Sequence, residues 1–303
     1  MIGQAPPEVP RPTSAAVRER LGAELASNEG GETMTPVVEG FGRNITRRTY
    51  PVRGVPLMQT FYLRFSHEDR HIDAVGVEVE VPDTNTLTIE YFDESRNDEY
   101  FYRVQHQDLI DRRIVPGQIE SVARAKETRE LDKPSGDYVF VLSGFVFYFR
   151  GSDQHVDQIK LLESDGRLSV AFNDQDDKET FLWRAQYAWV PQDLILGDHR
   201  ASGTRARGGV RRAIPPGVPF IQGFHLNFRP YFTPGQDHHL QEIGVLTRWP
   251  TEDFMEIYYS DRNGDDGFDW EVRLAYLADQ GFTAPEAADL QLREFTTAEI
   301  EVD

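Results

Sequence analysis

One stretch of this chain occurs three times, and that repetition constrains the fold more than any local propensity does. The third copy runs from FHLNF (224–228) through QDHHLQEIGV (236–245) to MEIYYSDRNGDDGFDWEVRLAYL (255–277). The first is FYLRF…EDRHIDAVGV…LTIEYFDESRNDEYFYRVQHQDL (61–109), and the second is FVFYF…SDQHVDQIKL…LSVAFNDQDDKETFLWRAQYAWV (145–190). An Asp-x-His triplet marks each copy, at Asp69/His71, Asp153/His155 and Asp237/His239, with both intervals equal to 84 residues.

Within each copy apolar residues alternate with polar ones. Side chains at i and i+2 share one face of an extended strand, so this period predicts strands. Phe61, Leu63 and Phe65 form one such face, matched by Phe145, Phe147 and Phe149 and by Phe224, Leu226 and Phe228. Further strands carry Val75-Val77-Val79, Leu87-Ile89-Tyr91 and Tyr100-Tyr102-Val104, with equivalents in the other copies. Each copy thus reads as four strands with one aromatic-rich face, which must be covered by something. The expected fold is all-β: three tandem antiparallel β-sandwich-like repeats of about 50 residues, with a single pseudo-threefold assembly as the alternative.

The expected boundaries are a Pro-rich arm and short helix (1–46), repeat 1 (47–110), a linker (111–136), repeat 2 (137–191), a Gly/Arg-rich linker (192–210), repeat 3 (211–278) and a tail (279–303). The helix is placed in SAAVRERLGAELAS, where Val17, Leu21 and Leu25 form one stripe. The first linker is charged and predicts a helical turn or two around Glu120–Glu130. The second reads as a flexible solvated segment. Its island of arginines, Arg205, Arg207, Arg211 and Arg212, is the candidate contact for an acidic partner, including another copy of the chain.

Composition narrows the partners. With 32 basic and 51 acidic residues the formal charge is −19, which repels phosphate backbones and argues against nucleic acid. There is no cysteine, so disulfides and thiol chemistry are excluded. No apolar run reaches membrane-spanning length, and no apolar leader follows a basic start. Membrane insertion is therefore not expected. The expected location is cytoplasmic synthesis without a signal peptide, with the product becoming part of a released particle.

Three constellations are candidates for chemistry. The Asp-x-His pairs put a carboxylate beside an imidazole, which suits a turn-fixing hydrogen bond, a metal ligand with its orienting partner, or an acid–base dyad. The loop between the third and fourth strands is acidic in every copy: Asp93 to Asp98, Asp174 to Glu179, Asp261 to Asp266. Clustered oxygen donors of this kind suit Ca²⁺, although the spacing is not that of an EF-hand and the same residues make ordinary hairpin turns. Trp183 and Trp270 fall on the apolar alternation and are expected in the core. Trp189, Trp249 and His238 are the candidate ligand contacts, Trp249 in a loop and His238 in a position unique to the third copy. No P-loop, nucleophile elbow, HExxH or dinucleotide fingerprint occurs, and the expectation is that the protein is not an enzyme.

The order Phe-x-Phe strand, turn, Val/Ile strand and a closing run such as QYAWV (186–190) resembles H-type-lectin-like β-sandwich modules over about 50 residues per copy. The resemblance implies modules that work as trimers or as appendages of larger particles, and it assigns no sugar-contacting residue. Three functions follow as expectations. The first is a structural or adaptor component of a larger assembly, such as a phage-tail-like or injection particle, acting through protein subunits or its own copies. The alternative is a glycan-binding, calcium-assisted lectin, and a metal-dependent hydrolase using an Asp-x-His pair is the weaker one.

Overall fold

The computed structural model describes residues 37–49, 54–65, 71–80, 86–93, 99–149, 155–173, 180–205, 209–228, 239–248, 253–261 and 267–277. The expected N-terminal helix and C-terminal tail lie outside these. The described chain is almost all strand and forms two antiparallel sheets. Its four-strand pattern recurs three times. The first strands are β2 (Val55–Phe65), β8 (Tyr138–Phe149) and β14 (Val218–Phe228). The second strands are β3 (Ile72–Glu80), β9 (Gln158–Ser164) and β15 (Leu240–Thr247). The third are β4 (Thr86–Asp93), β10 (Arg167–Asn173) and β16 (Phe254–Asp261), and the fourth are β5 (Glu99–Leu109), β11 (Thr180–Pro191) and β17 (Phe268–Leu277).

A fifth element, not expected from the apolar alternation, precedes each set. In the first unit it is β1 (Val37–Thr49), whose first half pairs with β5 and whose second half pairs with β4. In the second unit β6 (Val115–Arg124) pairs with β11, and β7 (Lys126–Glu130) pairs with β10. In the third, β12 (Ile195–Arg205) pairs with β17 and β13 (Val210–Ala213) pairs with β16. The helical turns expected around Glu120–Glu130 are therefore strands, and of the flexible segment expected over 192–210 a short 3-10 turn (Gln192–Leu194) leads into the strand Ile195–Arg205. Backbone pairing with two neighbours outweighed a charged or Gly-rich composition, because these lead strands face solvent on one side and need few apolar residues. They bend where they change partner: Asn44 has φ 53° and Ala125 has φ 55°. A left-handed residue there turns the strand from one neighbour to the next.

The units also exchange strands. β3 of the first unit pairs with β8 of the second, and β9 of the second pairs with β14 of the third. β15 of the third then pairs with β2 of the first, so the exchange is cyclic. Each pairing aligns the same positions: Val77 with Phe145, Leu161 with Phe224, Val245 with Phe61. A single large cluster of buried side chains runs through all three units. At its centre Phe61, Phe145 and Phe224 meet with ring centroids 4.9, 4.9 and 5.2 Å apart. Close approach of backbones at these seams explains two glycines. A Cβ on Gly76 would lie 2.5 Å from the Phe145 carbonyl oxygen, and one on Gly223 would lie 2.3 Å from that of Leu161.

Candidate metal centre

Each second strand is entered through a histidine: His71 before β3, His155 ahead of β9 and His239 before β15. Because each second strand lies against the first strand of another unit, the three entry points converge, although 84 residues separate each histidine from the next in the chain. The ring centroids are 4.7 Å (His71–His155), 4.8 Å (His71–His239) and 4.8 Å (His155–His239) apart, close to an equilateral triangle. One nitrogen from each ring lies within 4.8 Å of the others. His155 Nε2 and His239 Nε2 are 3.0 Å apart, a distance at which one carries the proton and the other accepts it. His155 is buried, and the other two are half-buried.

A second layer of side chains fixes this triangle. The Tyr259 hydroxyl donates to the carbonyl of Val156, the residue after His155, at 3.2 Å. The Tyr91 hydroxyl donates to the carbonyl of Leu240, the residue after His239, at 3.2 Å. In both cases the tyrosine comes from the third strand of a different unit. Its counterpart in the second unit is Phe172, which has no hydroxyl to offer Ile72. Burial pushes the Tyr259 hydroxyl well above its ordinary pKa, and the charge of Asp157 adds to the shift, so the group stays a donor. All three third-strand rings stack on a first-strand phenylalanine: Phe65 on Tyr91 at 3.9 Å, Phe149 on Phe172 at 4.1 Å, Phe228 on Tyr259 at 4.2 Å. Backbone bonds complete the frame around the second histidine, with Asp157 N donating to Asn173 O (3.0 Å) and Phe228 N donating to Asp157 O (2.8 Å).

The equal spacing of the Asp-x-His triplets carried the signal for this site. The sequence reading treated each pair locally, as Asp beside His. In the structure the histidine of one unit meets the histidines of the other two. Asp69, Asp153 and Asp237 lie outside the described residues, as do Trp249, His238, Arg207, Asp98, Asp174, Glu179 and Asp266. Among the other acidic-loop positions, Asp93 ends β4 and Asp261 ends β16, where Asp261 is buried at 3% exposure.

Trp189 was expected at the surface and is instead in the core, 1% exposed. It lies on the inward phase of β11, edge-on to Phe140 at 5.7 Å and to Tyr187 at 6.1 Å. Trp183, Ala185, Tyr187 and Trp189 form one unbroken alternation along β11, because the extra residue at the irregularity, Ser143, lies on the partner strand β8. Trp183 and Trp270 are buried. Of the arginine island, Arg205 ends β12 and is exposed. Arg211 lies over the Phe254 ring at 3.4 Å and Arg212 over Trp270 at 5.4 Å, so both rest on the protein's own aromatic rings. Compared with models of known protein families and with curated proteins, the sequence finds no match in either.

Proposed function

We propose that the protein is a non-enzymatic structural or adaptor component of a larger protein assembly, in which the three β units act as one rigid block. The observation that carries this reading is the placement of the exposed apolar side chains. Among the described residues the large exposed ones are Phe41 and Ile45 on β1, Val122 on β6 and Leu196 on β12. All four belong to lead strands, and every unit contributes at least one. Single exposed apolar residues are ordinary on a protein surface, but their confinement to the lead strands suits contact with other subunits. The cyclic strand exchange supports the same reading, because it ties the units into a block that can bear load through backbone hydrogen bonds. A phage-tail-like or injection particle is the kind of assembly this suits.

Sedimentation of producing cells' lysate, or of the particles they release, tests the reading. The protein is expected to travel with a high-mass particle rather than at its own 34.7 kDa. Phe41→Ser combined with Leu196→Ser is expected to release it from the particle while leaving its melting temperature within a degree or two. Sedimentation of the wild type at monomer mass under all conditions would overturn the proposal.

A further inference from the structure

We propose that His71, His155 and His239 bind a single divalent transition metal, zinc above all, and that the ion ties the three units together at their common centre. The inference goes beyond an assembly role and does not depend on it. Three observations carry it. Each ligand comes from a different unit, and the donor nitrogens lie within 4.8 Å of one another. In tetrahedral zinc sites the Zn–N distance is about 2.0–2.1 Å, which places pairs of ligand nitrogens roughly 3.4 Å apart. The present triangle, with its 3.0 Å Nε2–Nε2 pair, brackets that value, so small ring rotations suffice. Finally, Tyr91 and Tyr259 hold the backbone directly after two of the three ligands, which limits how far those two rings can move apart.

Donor chemistry selects the ion. Three imidazoles suit Zn²⁺, Co²⁺, Ni²⁺ or Cu²⁺ and do not suit Ca²⁺ or Mg²⁺, which take oxygen ligands. Three imidazolium charges at these separations would repel one another, whereas three neutral rings present lone pairs to one cation. Proton and metal therefore compete for the same ring nitrogens. Three protein ligands leave a fourth position for water or for a group from another molecule.

The test uses the full chain stripped with EDTA and then titrated with Zn²⁺, with Co²⁺ as a spectroscopic probe and Ca²⁺ as the control. One equivalent of Zn²⁺ per chain is expected, together with a rise of several degrees in melting temperature and a Co²⁺ visible spectrum of low-coordinate, nitrogen-ligated type. Ca²⁺ should leave the melting temperature unchanged. His155→Gln should abolish stoichiometric binding. Tyr259→Phe leaves the ligands in place but frees the backbone after His155, and loss of that one buried hydrogen bond should weaken zinc binding by up to about fivefold. Binding well below one equivalent at a twofold excess of Zn²⁺ would overturn the proposal, and so would zinc binding by His71→Gln/His155→Gln/His239→Gln equal to that of wild type. The titration of the wild type decides the matter even where a variant fails to fold.

Discussion

At the residue scale, several polar side chains are buried across the seams between units and bond there to specific partners. Arg184 on β11 donates to both oxygens of Glu78 on β3, at 2.8 and 2.9 Å, with both residues under 10% exposed. Gln186 donates to the Val79 carbonyl and accepts from the Val79 amide, so its side chain acts as an extra backbone rung between two units. On the opposite seam Tyr62 donates to Glu242, and the Thr247 amide donates to the Thr60 hydroxyl at 3.0 Å. Buried partners of this kind cost desolvation and contribute specificity of pairing. His106 on β5 is the clearest titrating case. Its ring contacts the Ser143 carbonyl on β8 at 2.7 Å, and burial lowers its pKa to about 4, the carbonyl contact only partly opposing the shift. The folded state thus keeps His106 neutral down to about pH 4, whereas the unfolded chain takes up a proton near pH 6.5. The unfolded state binds more protons across that window, so stability is full above about 6.5 and falls by roughly 3 kcal/mol as the pH drops to about 4. Denaturant melts of wild type and His106→Gln across this range should diverge, with the variant showing the flatter profile. Parallel profiles would show that His106 is not the titrating group.

At the element scale, the third strands differ in one informative position. Tyr91 and Tyr259 reach across to a carbonyl in another unit, and Phe172 occupies the equivalent place without a hydroxyl. Phe172→Tyr is expected to add the missing bond to the Ile72 carbonyl and to stabilise the fold by about 1 kcal/mol, the usual net contribution of one buried hydrogen bond. Thermal melting reads this directly. A loss of more than about 1 kcal/mol would mean instead that the site is too tightly packed for one more oxygen. The lead strands show how an element escapes a sequence reading. The exposed face of β6 carries Gln118, Glu120 and Arg124, and β12 carries Gly197, Asp198 and Arg200, so neither shows an unbroken alternation of large apolar residues. Each is a strand because its backbone is paired with a neighbour already fixed by an aromatic face. Asn44 and Ala125 then supply the bend that lets β1 and the β6–β7 pair cross from a fourth strand to a third. Asn tolerates the left-handed region better than Ala does, so Ala125 is the more strained of the two.

At the scale of the whole molecule, strand exchange couples the units thermodynamically. Each second strand finds its outer partner only in another unit, so a unit taken alone exposes an unpaired edge and the core side chains that the other units cover. The described body should therefore unfold in one cooperative step, with calorimetric and van't Hoff enthalpies in agreement. A fragment covering residues 111–191 should be unfolded when expressed by itself. Three resolved transitions, or a folded fragment, would show that the units are independent after all.

The all-β class and the inward phase of the core strands were determined by the sequence alone. Their physical basis is local, because the period of two in Phe61-Leu63-Phe65 or Met255-Ile257-Tyr259 specifies which side of a strand must leave water. The equal spacing of the three histidines was visible in the same way. What only the tertiary structure decided is which strand pairs with which. A hydrogen-bonded edge carries no record in the sequence of its partner's unit, so β3 with β8 and β15 with β2 could not be read from composition. Trp189 belongs with what was legible, since it continues the alternation of Trp183, Ala185 and Tyr187 along β11. The choice of pairing partner matters most of all for His71, His155 and His239. Nothing within one copy distinguishes a turn-fixing histidine from a third of a metal centre, and only the cyclic exchange of strands brings the three rings within 5 Å.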